Sequence, residues 1–282
     1  MATLQALPLP SSFEDLCELF LLYIAYSTLG WCGEMLYCSI PKGRLCEKRG
    51  FLNGFLCPIY GHGALLVLYG LHGGFRNPFL TFFFGAILTS ILEYFTSWIM
   101  EKLFHMRWWD YSHYKFQING RVCLLNSTCF GLACVLLCHV VQPWLWAHIA
   151  ALGASLTVPL ASFVFGIYLM DTVLSVRSAI QLSAQMGKLR ALQSELKDFL
   201  AEKREENQER FAQRRLEARD RAIALRDSAD IFERRLLHSH PQLKAAREEL
   251  LSGIRARLAD SEEEARREAA RLHAVYGSRS KK

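Results

Sequence analysis

Phe79 to Leu103 reads FLTFFFGAILTSILEYFTSWIMEKL, an apolar run of membrane-spanning length with one carboxylate, Glu93, set in its middle. A helix needs roughly 17–25 apolar residues to cross the hydrocarbon layer. At that depth an ionisable group costs about 2.5–3.5 kcal/mol on insertion scales, so it faces protein or a wet cavity and takes a partner. Four further apolar segments lie outward from this one: Leu16–Cys38, Cys57–Leu71, Leu124–Val141 and Leu145–Val176. Two of them carry carboxylates of the same kind, Glu34 and Asp171. The sequence therefore predicts an all-α fold: a polytopic membrane bundle of about five transmembrane helices, followed by a cytosolic, coiled-coil-like helical extension. The Cys57 segment is short and is introduced by Gly54 and Pro58. It predicts an irregular, re-entrant start, which lipid tolerates only where protein covers the backbone.

Composition divides the chain into a transmembrane domain, residues 1–176, and a charged helical or coiled-coil tail, residues 177–282. Nine of the 33 Lys and Arg and nine of the 27 Asp and Glu precede Arg177, so the first part is formally neutral and the net charge of +6 belongs to the tail. All nine cysteines are in the first part, without CxxC or zinc-type Cys/His spacing, and read as packing residues. The N-terminus has no basic region and carries Glu14, Asp15 and Glu18, so the first apolar run is expected to stay as a spanning helix.

The loops orient the chain. Lys42, Arg44, Lys48 and Arg49 make the first loop basic, and Lys102, Arg107, Lys115 and Arg121 the third; the second has only Arg76 and the fourth neither Lys nor Arg. The positive-inside rule then predicts a multi-pass protein of the plasma membrane with its N-terminus outside and its C-terminus cytosolic. In this topology Glu34, Glu93 and Asp171 all fall in the cytosolic half. Each sits in a stripe of polar or small residues at helical spacing: Tyr23, Ser27, Gly30 and Tyr37 with Glu34; Thr89, Ser90, Thr96 and Ser97 with Glu93; Tyr168, Ser175 and Ser178 with Asp171. Such stripes either pack helix on helix or line a path for an ion or substrate. The ion-pair partners expected for the three carboxylates are Arg49 and Arg121. Trp109, Asp110, Tyr111 and Asn119 beside Arg121 suggest a folded cap at the cytosolic mouth.

These residues also carry a resemblance. GWxxE (Gly30–Glu34), RGFLxG (Arg49–Gly54), PIYGxG (Pro58–Gly63), Glu93 in the third apolar run, WWDYS (Trp108–Ser112) and NGR with a following Cys (Asn119–Cys123) together resemble the putative type IV ABC-transporter permease family of bacterial membrane proteins. The resemblance covers about residues 15–175 and implies a permease-like subunit in the bacterial cell membrane. Phe55 departs from it, standing where proline is expected after Gly54. The tail is outside the motifs.

Beyond Arg177 the chain is rich in Ala, Leu, Glu and Arg, which predicts a long helix through Leu237, a break at His238–Pro241 and a second helix from about Gln242 to Tyr276. Phe211, Arg215, Ala218, Ala222, Leu225, Ala229, Phe232 and Leu236 keep the 4-3-4-3 spacing of a coiled-coil seam, suited to self-association or to a partner. Leu189, Leu192, Leu196 and Phe199 form an earlier patch out of phase with it.

A transport motor needs a GxxxxGK[ST] loop, and none occurs. The expected partners are the lipid bilayer and a separate ATPase subunit, with no nucleic acid and no cofactor. The alternatives are a membrane scaffold or regulator working through its tail, and a membrane enzyme acting on an amphiphile. No GxSxG, HExxH or two-His-carboxylate spacing supports the enzyme.

Overall fold

The computed structural model describes residues 7–40, 43, 50–72, 74–202 and 208–277. Helix α1 (Phe13–Ser39) starts where Ser12 and Asp15 cap each other: the Asp15 amide donates to Ser12 Oγ at 3.1 Å and the Ser12 amide to the Asp15 carboxylate at 2.9 Å. This satisfies donors that a helix start otherwise leaves free.

Helix α2 (Pro58–Gly70) runs back along α1. Tyr60 near its start packs on Gly30, Gly61 packs on Ser27 and Tyr23, and Tyr69 near its end donates to the Pro8 carbonyl at 3.2 Å. The two backbones come close because side chains are missing: a methyl on Gly30 would overlap Tyr60, and one on Gly61 would overlap Ser27. Helices α3 (Pro78–Phe104) and α4 (Leu124–Leu136) make a second antiparallel pair by the same device, with Gly85 on Cys134 and Gly131 on Phe82. Between them, β1 (Gln117–Ile118) and β2 (Val122–Cys123) pair antiparallel, Gln117 opposite Cys123 and Ile118 opposite Val122.

Four stretches are long and apolar enough to cross a membrane by length and composition: Phe13–Ser39, Pro78–Phe104, Leu124–Ala150 and Ala154–Asp198. The fifth expected segment, Cys57–Leu71, forms only α2, whose 13 residues span about 20 Å. It is preceded by non-helical residues 50–57. A second boundary is corrected. The break expected between Val141 and Leu145 is absent, because α4 passes through a π-helical turn (Leu137–Val141) into α5 (Gln142–Ala150). Pro143 lies in the first turn of α5, just after that widened turn, where its missing N–H is tolerated. The chain turns instead at residues 151–153, where Gly153 takes a φ of +68°.

Helix α6 (Ala154–Glu202) carries 49 residues, about 74 Å, without a break across the composition boundary at residue 176. Its distal half is covered by α7 (Gln208–Asp227), α8 (Ile231–Ser239) and α9 (Pro241–Gly277). One buried cluster joins Leu182, Met186, Leu189, Leu192 and Leu196 of α6 to Ala218, Leu236, Leu251 and Ile254, and extends to Phe104, Met106 and Trp108 below α3. The break at His238–Pro241 is present, since α8 ends at Ser239 and α9 begins at Pro241. A further break at Ser228–Asp230 was not anticipated: Asp230 caps α8, accepting from the Glu233 amide at 2.8 Å while its own amide donates back to Glu233 at 3.3 Å. A capping box outweighs the helix propensity of the surrounding residues.

The seam is also reassigned. Ala218 is buried, Ala222 and Leu225 pack on the same cluster, Ala229 is buried, and Phe232 stays exposed. Within the chain, Ala218, Ala222 and Leu225 of the seam therefore pack on the cluster shared by α6 and α9. The side chains of Phe199 and Phe211 are outside the described residues.

Two substitutions separate close packing from helix propensity. Gly30→Ala should lower the thermal midpoint in detergent, since overpacking costs about 1–3 kcal/mol. Gly33→Ala has nothing within 4 Å of its new methyl and should be neutral or stabilising by up to about 1 kcal/mol. In the tail, Leu225→Glu should make residues 208–239 sensitive to limited proteolysis while α1 to α5 remain protected.

Candidate functional site

The three intramembrane carboxylates separate into two clusters. In the first, the Tyr60 hydroxyl donates to Glu34 at 2.5 Å and the Tyr111 hydroxyl donates to Glu93 at 3.1 Å. Asn126 Nδ2 donates in turn to the Tyr111 hydroxyl at 2.5 Å. The two Tyr–Glu pairs act on each other electrostatically, with the Glu34 charge reaching both Tyr111 and Glu93. Side chains from α1, α2, α3, α4 and the α3–α4 connection thus meet at one place. Glu93 is buried, and its Oε2 accepts no hydrogen bond among the described residues. Burial and the Glu93 charge push the Tyr111 phenol well above its ordinary range, so it stays a donor. Neither Glu34 nor Glu93 forms an ion pair with Lys or Arg among the described residues.

Asp171 belongs to the second cluster. Its carboxylate accepts the backbone N–H of Asn53 at 2.8 Å and of Gly54 at 2.6 Å, and Ser175 Oγ at 3.3 Å. A Cβ on Gly54 would stand 2.9 Å from Asp171 Oδ2, which explains the glycine. Asn53 Nδ2 donates to Ser175 Oγ at 3.0 Å. The other side of the same turn is held from the tail. Arg235 of α8 donates to Asn53 Oδ1 at 3.0 Å, to the Gly50 carbonyl at 3.2 Å and to the Phe51 carbonyl at 3.4 Å. Between them, the acid and the base satisfy the donors and acceptors of the non-helical turn that precedes α2.

Arg121 corrects an expectation. It pairs with Glu101 at 2.7 Å and donates to Ser97 Oγ at 3.1 Å, not to any of the three carboxylates. Glu101 lies two turns beyond Glu93 toward the end of α3, level with the hairpin that carries Arg121, and Tyr111 already occupies Glu93. Arg49 lies outside the described residues. The remaining cap residues form a folded unit. Trp109 Nε1 donates to the Arg121 carbonyl at 3.0 Å, the Tyr111 amide to the Gly120 carbonyl at 2.8 Å, and Asn119 Nδ2 to the Tyr94 hydroxyl at 3.0 Å. Asp110 accepts from the Ser112 amide at 3.0 Å. Asn119 and Gly120 both take positive φ, 53° and 68°, the conformation for which an Asn-Gly pair is suited.

Sequence reasoning missed Tyr60, Asn126, Asn53 and Arg235. Tyr60 stood in the PIYG motif and could have been found as the hydroxyl nearest a helix start. Arg235 is one of many tail arginines and left no signal.

An α-helical bundle with four membrane-length apolar helices and a buried carboxylate, Glu93, on one of them defines a membrane protein class. The family described as "Putative ABC-transporter type IV" matches residues 21–176, and the chain belongs to that family. It is thereby a transport-related membrane protein. No curated protein and no solved structure matches the chain.

The turn before α2 makes a direct test of the second cluster. Asp171→Asn keeps the shape but turns an amide group toward one of two backbone donors, a loss of about 1–3 kcal/mol. Asp171→Asn and Arg235→Gln should each lower the thermal midpoint, and the double variant should lose less than the sum, because both act through residues 50–54.

Proposed function

We propose that the chain is the permease-like membrane subunit of an ABC-type transport system, with Glu34 and Glu93 lining a polar path that opens to the cytosol. The observation that carries this reading is the pair of carboxylates from different helices, held by tyrosine hydroxyls and without a Lys or Arg partner among the described residues. A purely structural ion pair brings its cation from the chain itself. In this reading the compensating positive charge is a proton or a cationic group that enters from outside, which is what a conducting site requires. Asp171 has a different part: it holds the turn before α2, and so the wall of the path. ATP hydrolysis comes from a separate subunit, consistent with the missing phosphate-binding loop.

In this reading the N-terminus is outside, the C-terminus is cytosolic, and residues 50–57 with α2 make the second of five crossings of the bacterial plasma membrane. A second reading, a scaffold or regulator, is favoured by the Arg235 contact, through which the tail could act on the membrane half without any transport path.

Reporter fusions after Asn77 and Gly153 should behave as exported and a fusion after Lys282 as cytosolic; a cytosolic signal after Asn77 would reject the topology. The decisive experiment reconstitutes the chain with its ATPase subunit in proteoliposomes. Glu34→Gln and Glu93→Gln should keep normal abundance but reduce stimulated ATP hydrolysis to the basal rate. Full stimulation in both variants, combined with its loss on truncation after Gln181, would favour the scaffold.

A further inference from the structure

At the end of α3, away from both carboxylate clusters, a cleft of about 410 Å³ is lined by Trp98, Glu101, Lys102, His105 and Arg121. Helix α3 has 27 residues, about 40 Å, against a hydrocarbon layer of about 30 Å. Its last turns therefore stand at the membrane–water boundary. Immediately before the cleft, the outward face of α3 is apolar and uncovered: Phe95, Trp98, Ile99 and Leu103 are all exposed.

The charge in the cleft is positive on balance. Glu101 is already met by two guanidinium groups, Arg121 at 2.7 Å and Arg107 at 3.4 Å. Arg107 also faces Asp110 at 3.8 Å. Lys102 has no carboxylate partner within ion-pair distance among the described residues. The negative end of the α3 dipole opposes an anion here, but the His105 carbonyl is engaged by both terminal nitrogens of Arg190 at 3.4 Å, which adds a further cation. An apolar face leading into a cationic cleft at the boundary matches an amphiphile with an anionic head.

We propose that this cleft binds the headgroup of an anionic phospholipid whose acyl chains lie along Phe95, Trp98, Ile99 and Leu103. Basic pockets at the ends of spanning helices bind such headgroups through the same charge balance. Arg121 then has two contacts at once, with Glu101 and with the lipid phosphate, so the lipid supports the hairpin cap from the membrane side.

Trp98 is the built-in reporter. The full chain is placed in phosphatidylcholine bilayers containing equal mole fractions of either brominated phosphatidylglycerol or brominated phosphatidylcholine. The Trp98 signal is the difference in quenching between the wild type and Trp98→Phe. Quenching of that signal should reach half its maximum at a lower mole fraction for the anionic lipid. Lys102→Gln with His105→Asn, which keeps a residue tolerant of positive φ, should raise that mole fraction about fivefold. Equal quenching by the two lipids in the wild type overturns the proposal without any variant. An anionic preference unchanged in the double variant overturns the assignment to this cleft.

Discussion

The carboxylate of Asp171, held 2.8 and 2.6 Å from two successive backbone amides, solves the problem on which the rest of the membrane half depends. Helix α2 has only 13 residues and is preceded by non-helical backbone, whose amides and carbonyls need partners other than helical ones. Asp171 from α6 takes the amides, and Arg235 from α8 takes the carbonyls of Gly50 and Phe51. That single turn ties together three parts of the chain that are distant in sequence: residues 50–54, Asp171 and Arg235. It fixes where α6 sits against α1 and α2, and where the tail sits against the membrane half.

Among the described residues, the other two carboxylates accept from side chains, not from backbone amides. Glu34 and Glu93 each take one tyrosine hydroxyl, and Glu93 keeps an oxygen with no hydrogen bond among the described residues. Glu93 is buried and incompletely satisfied among the described residues, a costly arrangement for a carboxylate. The contrast with Glu101 is instructive, because that carboxylate lies at the helix end and is met by two arginines. Among the described residues, Arg121 and Arg107 meet Glu101 and neither pairs with Glu93.

The tail applies the same logic in water. Its small-residue seam is buried against α6 and α9, so the charged faces remain on the surface and the apolar cluster continues up to Phe104 and Trp108 under the cap. Helix α6 is packed by the tail that continues it, and Arg235 of α8 joins that tail to the 50–54 turn.

Hydropathy and charge fixed much of this without tertiary information. The long apolar runs, the basic loops and the helical tail follow from residue composition over windows of about 20 residues, because the bilayer and water act on each segment separately. Gly54 and Pro58 announced the irregular start before α2 for local steric reasons. Partners were a different matter. Which donor satisfies a buried carboxylate depends on side chains brought together from distant segments, so Arg121 was matched with the wrong acids, and Tyr60, Asn126 and Arg235 were not singled out at all. The uninterrupted run from α4 into α5 was likewise decided by packing: a π-helical turn absorbed Pro143, and the chain reversed at Gly153. Sequence determined which segments seek lipid and which seek water; only the folded chain decided which polar groups those segments share.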